Sequence, residues 1–488
     1  MNAMRALRAW PGDQRDALPL ALWSSEEIAT ATGGVASHDF LASGVEMDSR
    51  DVRRGDLFVA LSGEAMDGHR FLPQAFANGA VAVIVDRPVE YPHVLVKDTA
   101  AALHAIAAAA RERAHAVRIG VTGSVGKTGV KEAIFLALDR ASRGAAHRSV
   151  RSYNNHVGVP LTLARMPARS RFGVFEMGMN HAGEMRVLSA HVRPHVALIT
   201  TIAPAHIENL GSMEAIAAAK AEIFESLMPG GTAVIPADSP WAAQLCEAAK
   251  KYAAKVLTFG SSPDANVRLL DAIPSVNGGS LVTADLGDTR LCYSVAEPGE
   301  HWIANSLGVM AAVQAADGDL GAAGLALAEM GGLKGRGARH QLAVPGGKAL
   351  LIDESYNANP ASMRATLRQL GQTPATRRIA VLGSMRELGD FGPNFHAQLA
   401  KPLAEAKVDY AILVGDEMHA LARELGKAGA VSLGITAGFA HCANPAEAIA
   451  ALKEFGITAG DAILVKGSNS VGLGALVSHF TGLSAAGT

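Results

Sequence analysis

The segment that most restricts this chain is Thr122-Gly-Ser-Val-Gly-Lys-Thr128. It lies between the apolar run Val117-Arg-Ile-Gly-Val121 and a stretch in which Val130, Ile134 and Leu138 recur on one helical face. Strand, glycine turn and helix in that order gather backbone N–H groups and a helix N-terminus around an anion. Gly123, Ser124, Val125 and Gly126 would wrap the phosphates, Lys127 would bridge the terminal ones, and Thr128 would offer a hydroxyl to Mg²⁺. The turn fits ATP. The spacing G-x-x-x-x-G-K-[ST] is not fully met, because Val121 stands five residues before Gly126.

At 488 residues the chain is long enough for about three domains. Between Leu22 and Arg111, Asp56–Leu61, Ala80–Val85 and His93–Val96 read as short strands of a small α/β domain, followed by an alanine-rich helix, Thr99–Arg113. Beyond Val117, the runs Phe172–Glu176, Val196–Thr200 and Thr232–Ile235 alternate with helical stretches, the pattern of β-α-β units and a mostly parallel sheet. A long helix is predicted from His301 to about Ala316. The glycine-rich Gly331–Gly337 is the best linker, because glycine relaxes the backbone there and few apolar residues are available to pack across it. Past it, Ala349–Ile352, Arg378–Leu382, Tyr410–Val414 and Ala462–Val465 repeat the doubly wound pattern. The expected division is an extension over 1–20, a small α/β domain over 21–112, a central P-loop-type mononucleotide-binding domain with a parallel sheet over 113–337, and a C-terminal Rossmann-like domain over 338–488.

Composition removes several function classes. With 44 Lys+Arg against 46 Asp+Glu the formal charge is −2, so no global basic field exists to hold nucleic acid, and no nucleic-acid partner is expected. The three cysteines, Cys246, Cys292 and Cys442, are far apart and form neither a disulfide framework nor a cysteine zinc site, which suits a reducing, cytoplasmic setting. No apolar run is long enough to cross a bilayer, so membrane insertion is not expected. Pro11, Asp13, Arg15 and Asp16 interrupt the place where a signal peptide needs its apolar core.

Other candidates are weak one at a time. Glu176 ends a strand, where a carboxylate would reach the ligand edge of a sheet, yet such a residue is commonly a solvated charge. His206 follows another strand, and a single histidine is commonly structural. Lys220 sits in an alanine-rich helical run as an ordinary surface lysine would. The basic cluster Arg140, Arg143, His147, Arg148 and Arg151 reads as a solvated face or as a neighbour of a diphosphate.

Taken in order, the segments are more telling. Asp48-Ser-Arg50, Gly55–Leu61 and Asp67–Phe71 precede the phosphate turn; Asn154–Pro160, Glu176–Asn180 and His206–Phe224 follow it. Then come Gly299–Asn305, Gly335–Arg339, Asp353–Pro360, Gly383-Ser-Met-Arg-Glu-Leu-Gly389 and Val465-Lys-Gly-Ser468. From about Leu22 onward the chain resembles the Mur ligases, and within them those that add D-alanyl-D-alanine. The resemblance implies an ATP-dependent amide ligase that joins D-alanyl-D-alanine to UDP-N-acetylmuramoyl-tripeptide through an acyl phosphate, in cytoplasmic peptidoglycan precursor synthesis, with a monomer expected.

It also implies residue roles. Lys127 and the loop amides hold the ATP phosphates; Thr128 and Glu176 hold one Mg²⁺; His206 holds a second metal between γ-phosphate and carboxylate. Lys220 matches a lysine carried as a carbamate, which turns a cation into an anionic oxygen ligand. Asn305 matches an adenine-side asparagine, although a helix-start Asn is also a capping residue. Arg339 reaches the γ-phosphate, with Arg336 as the alternative, and Asp353 reaches the nucleotide. Ser49 and Arg50 serve the UDP end in the first domain, while Asn154 and Asn155 face substrate. Gly129 departs from the hydroxyl residue many members carry, and Asn469 stands where many carry Arg. The ligase that adds the third peptide residue is disfavoured, since its Asp-Asn-Pro-Arg motif is absent. Cyanophycin and folylpolyglutamate ligases lack the Asp48-Ser-Arg50 domain. A regulatory ATPase would not need that domain, and an inactive scaffold would not retain Lys127, Glu176, His206 and Lys220.

Overall fold

Short runs of Val, Ile, Leu and Ala, each closed by Gly, Thr or an acidic residue, form strands buried on both faces, as parallel sheets require. The computed structural model describes residues 21–63, 66–150, 152–275 and 278–482. The expected extension over 1–20 and Arg151 of the basic cluster lie outside the described residues. The described chain forms two compact units, one within Met1–His115 and Pro160–Ser170, the other within Ala116–Val159 and Arg171–Thr488.

In the first unit, strands Gly44–Glu46, Asp56–Val59, Ala82–Val85 and His93–Leu95 pair in parallel, and Val35–Ala36 adds an antiparallel edge. Helix Thr99–Arg113 begins at Asp98, whose carboxylate accepts from the N–H groups of Ala100 and Ala101 at 2.8 and 3.0 Å, an N-cap that the sequence Asp-Thr-Ala-Ala supplies. Residues 160–170 complete this unit. The buried indole of Trp23 donates to the Ala164 carbonyl at 2.8 Å, and Arg165 donates to the Val45 carbonyl at 2.6 Å while pairing with Glu46.

The second unit holds two sheets. The larger has nine strands in the order 290–295, 280–285, 267–274, 255–260, 232–236, 196–199, 117–122, 172–176, 146–148. It is parallel from 146–148 through 267–274, and the last three strands form an antiparallel meander. The meander was not anticipated: its strands alternate buried and exposed residues, a weaker signal than the continuous apolar runs beside it. Helix Lys127–Ser142 covers the sheet with Val130, Ile134 and Leu138 fully buried. Helix Glu300–Ala315 is buried on all sides from Asn305 to Val313, which explains its nearly uniform apolar sequence.

The smaller sheet has six strands in the order 338–344, 347–354, 461–466, 377–383, 410–414, 439–442, parallel except for the first pair. The Gly331–Gly337 segment between the sheets is not slack. Leu333 and Arg336 bridge each other, Gly335 and Gly337 take positive φ, and both donate backbone N–H groups to Asp353. Among the described residues, no helix is long and apolar enough to cross a membrane.

Candidate active site

Strand Val117–Thr122 lies between 172–176 and 196–199, so the chain leaves it where the strand order reverses, the place at which open α/β sheets bind ligands. The turn that follows is clamped from the neighbouring strand. Ser124 exchanges hydrogen bonds with Ala203, donating to its carbonyl at 2.8 Å and accepting from its N–H at 3.0 Å, and Thr200 donates to the Val125 carbonyl at 2.5 Å. A Cβ at Gly123 would fall 2.0 Å from the Thr200 hydroxyl. Helix Lys127–Ser142 starts at Gly126, φ +88°, with no side chain capping it, which leaves its first N–H groups for an anion. The Lys127 ammonium donates to the Gly123 carbonyl at 2.8 Å and so folds back over the turn.

A cavity of about 670 Å³ opens above this turn, walled by residues from both sheets of the second unit. The larger sheet supplies Ser124, Val125, Gly126, Lys127, Asn154, Asn155, Glu176, His206 and Asn305 of the expected residues. The smaller sheet and the linker supply Arg336, Glu354, Tyr356, Asn357 and Lys466. Gly123 and Thr128 back the turn. Lys220, 1 % exposed, lies beneath it, close enough to Lys127 for the two charges to repel.

The electrostatics favour an anion. Burial lowers the pKa of Lys127, with Glu176 opposing the shift and Arg336 adding to it. Burial first, and then Lys127, push Lys220 well below the usual lysine range. Lys127 and Arg336 thus face the Glu176 carboxylate at the turn. Glu176 itself is fully buried: its Oε1 accepts from the Asn154 amide at 2.8 Å, while its Oε2 has no hydrogen-bond donor and the Lys131 ammonium stands 3.9 Å away. The Thr128 hydroxyl is also buried without a partner. Among the described residues no group of three or more His, Cys, Asp or Glu is placed to hold a metal ion. One orphaned carboxylate oxygen and one orphaned hydroxyl at a phosphate turn fit Mg²⁺, which keeps waters and phosphate oxygens rather than a full protein cage.

Arg339 and Asp353 lie outside the cavity wall, while Asn155 and Asn305 within it also have structural partners. Arg336 lines the cavity, stacked 4.3 Å over Tyr356 and bonded to the Ser152 hydroxyl at 3.2 Å, whereas Arg339 is exposed on strand Ala338–Val344 and outside the cavity wall. Asp353 is buried and hydrogen-bonded through both oxygens: Oδ2 accepts from the Gly335 N–H at 2.8 Å, and Oδ1 from Ser355 N and Oγ at 3.1 and 2.6 Å. The bond from Gly335 ties it to the linker. Asn155 accepts from the N–H groups of Val157 and Gly158 at 3.2 and 2.8 Å, capping the next turn. Asn305 packs on the phosphate turn, where a Cβ at Gly126 would fall 2.9 Å from its Oδ1.

In the first unit, Ser49 is buried and donates to Gln74 at 2.8 Å, and Arg50 pairs with Asp48 at 2.6 Å. Of the basic cluster, Arg140 pairs with Glu329, and Arg148 pairs with Glu132 at 2.9 Å and lies over Phe135.

Sequence reasoning missed His301 and Trp302. Both line the cavity, and burial holds the His301 imidazole down to about 4, with Lys466 adding to the shift. Gly129 was the available clue, since a Cβ there would lie 2.6 Å from the Trp302 ring.

Comparison with known proteins decides what kind of site this is. Residues 42–121 match the catalytic domain of the Mur ligase family, 121–313 the Mur ligase middle domain, and 338–469 the Mur ligase glutamate ligase domain. The chain belongs to the Mur ligase family. Among Mur ligases, it is 38% identical over 451 residues to the UDP-N-acetylmuramoyl-tripeptide–D-alanyl-D-alanine ligase of Synechocystis sp., covering 91% of this chain and 93% of that one. To the enzyme of the same name from Escherichia coli it is 34% identical, covering 81% and 86%. A crystal structure of MurF from Acinetobacter baumannii superposes with a TM-score of 0.81 at 31% identity, covering 96% of this chain and all of that one.

Proposed function

We propose that this Mur ligase is an ATP-dependent enzyme that joins D-alanyl-D-alanine to UDP-N-acetylmuramoyl-tripeptide, releasing ADP and phosphate, in cytoplasmic peptidoglycan precursor synthesis. The observation that carries the reading is the phosphate turn with Lys127 and Arg336 beside it and its orphaned Thr128 and Glu176 oxygens, in a chain that matches D-alanyl-D-alanine ligases over most of its length. Free cysteines and a nucleotide substrate suit the cytoplasm.

Joining a carboxylate to an amine is uphill in water, and ATP offsets this by converting the carboxylate to an acyl phosphate that the amine attacks. The protein's part is positioning and charge neutralisation. Lys127 and the N–H groups of Gly126 to Thr128 hold the phosphates, and Arg336 approaches them from the other sheet. Asn305 lies at the base side. Mg²⁺ held by Thr128 and Glu176, with a second cation at His206, would supply Lewis-acid polarisation of the phosphoryl group. Burial lowers the Lys220 pKa and so favours the free amine, which could add CO₂ and release a proton to give a carbamate, an anionic oxygen group that would help hold the cation at His206. Ser49 and Arg50 would serve the UDP end of the substrate. The ranges 21–112, 113–337 and 338–488 would be the UDP-substrate, ATP-binding and ligase domains, acting as a monomer.

Phosphate release by the purified protein with ATP, Mg²⁺ and UDP-N-acetylmuramoyl-tripeptide, with and without D-alanyl-D-alanine, tests this directly. Release that needs both partners, with a nucleotide product heavier by the dipeptide less one water, is the expected result. Release indifferent to both would replace the ligase reading with a regulatory ATPase.

A further inference from the structure

The segment Gly383-Ser-Met-Arg-Glu-Leu-Gly389 has no task in the reaction as described so far, yet it makes a direct contact between elements of the two sheets at the site. It leaves strand Arg377–Gly383 of the smaller sheet and is braced there: the Met385 N–H donates to His396 Nε2 at 2.9 Å, the Arg386 N–H to the Ser468 hydroxyl at 3.0 Å, and the Arg386 guanidinium pairs with Glu417. From this braced loop Glu387 reaches across to the larger sheet, where its Oε2 lies 2.5 Å from His206 Nδ1. Both residues hold left-handed backbone, φ +58° at His206 and +63° at Glu387, although neither is glycine. Such conformations persist where the surroundings over-determine them. The fit continues to Gly389, φ +51°, where a Cβ would fall 3.0 Å from the Glu208 side chain.

We propose that Glu387 is a positioning residue for His206: its carboxylate, in close charge contact with the Nδ1 edge, fixes the ring, holds the proton on Nδ1, and leaves Nε2 unprotonated toward the cavity to bind a divalent cation. The inference rests on the proposed role of His206 at the second cation. A carboxylate behind a ligating imidazole is a general way to set ring orientation and basicity, and losing it costs about 10–100-fold in metal affinity. What is particular here is the source of the carboxylate. Because Glu387 belongs to the other sheet, His206 is prepared as a ligand only when the two sheets are docked, so cation binding and docking favour each other.

The test measures Mn²⁺ binding by electron paramagnetic resonance to the full-length protein carrying a non-hydrolysable ATP analogue, and analogue affinity alone in EDTA. Glu387→Ala is expected to weaken Mn²⁺ about 10–100-fold, with analogue affinity in EDTA unchanged. Glu387→Gln, which keeps an acceptor for Nδ1–H, is expected to stay much nearer the parent, and adding Glu387→Ala to His206→Ala should cost nothing further. If His206→Ala weakens Mn²⁺ and Glu387→Ala does not, the proposal falls while His206 keeps its role. If neither changes Mn²⁺ binding, the His206 reading falls and takes the proposal with it. An equal loss of analogue affinity in EDTA would make the pair a docking contact only and overturn the proposal.

Discussion

Lys220 shows how a residue that looks ordinary in sequence acquires chemistry from its surroundings. In an alanine-rich helix a lysine reads as a surface charge, but here the side chain is 1 % exposed with Lys127 nearby, and its pKa falls well below the usual lysine value. A lowered lysine pKa means that the folded chain binds fewer protons than the unfolded one, so stability rises as pH climbs toward the ordinary lysine range. Lys220→Met should therefore raise the melting temperature at pH 7, by an amount corresponding to about 0.5–2 kcal/mol, while ligation collapses. Partial return of activity in Lys220→Ala with added short carboxylates would support the carbamate, and full activity without them would remove it. Spacing to Asp353 favours Arg339 over Arg336 for the γ-phosphate, but the turn before strand Ala338–Val344 places residues three apart on different surfaces, and the cavity wall contains Arg336. With Arg336 in the cavity wall and Arg339 outside it, Arg336→Ala should raise the KM for ATP about 10–100-fold, as loss of charge-assisted hydrogen bonds does; an equal effect from Arg339→Ala would show that the strand rearranges around nucleotide.

At the scale of elements, the first turn of helix Lys127–Ser142 packs directly on the first turn of helix Glu300–Ala315, and Gly129 is where they touch. Gly129→Ala would drive a Cβ to within 2.6 Å of the Trp302 ring, a loss of about 1–3 kcal/mol for overpacking. In a Trp302→Ala background the sign should reverse to a gain of about 0.5–1 kcal/mol, because alanine outranks glycine inside a helix. Urea midpoints of the four variants read this directly. The linker makes a second case. Glu297 and Glu354 flank Gly337, and burial raises the Glu297 carboxyl from 4.5 to about 7, with Arg339 opposing and Glu354 adding. A raised carboxyl pKa gives stability that is complete below pH 4.5 and lost as pH rises through 7. Glu297→Gln should gain up to about 3 kcal/mol at pH 8 and nothing at pH 4, visible in paired thermal melts.

For the molecule as a whole, the α/β class and most strands of the parallel sheets were legible because buried parallel strands are continuous apolar runs, such as Phe172–Glu176 and Tyr410–Val414. The antiparallel meander over 267–295 was not, since half of each strand faces outward. The phosphate turn was legible from local order alone, whereas the hydrogen bonds that tie the Asp353 carboxylate to Gly335 and Ser355 were not. Nor does any local pattern pair His206 with Glu387, which are brought together only by the meeting of two sheets. The same holds for residues 160–170, which no composition shift sets apart from the turn before them.

That short segment bears on how the protein is made. The first unit needs the Ala164 carbonyl for Trp23 and the Arg165 guanidinium for Glu46, so its residue list is not complete when His115 has been synthesised. At about 5–20 residues per second, several seconds separate those events on the ribosome. During them the nascent N-terminal portion waits with the Trp23 indole lacking its acceptor, and Val117–Thr122 with its glycine turn emerges before that portion is closed. The order of assembly is therefore interleaved, the first unit being finished only by a piece of chain that follows the beginning of the second.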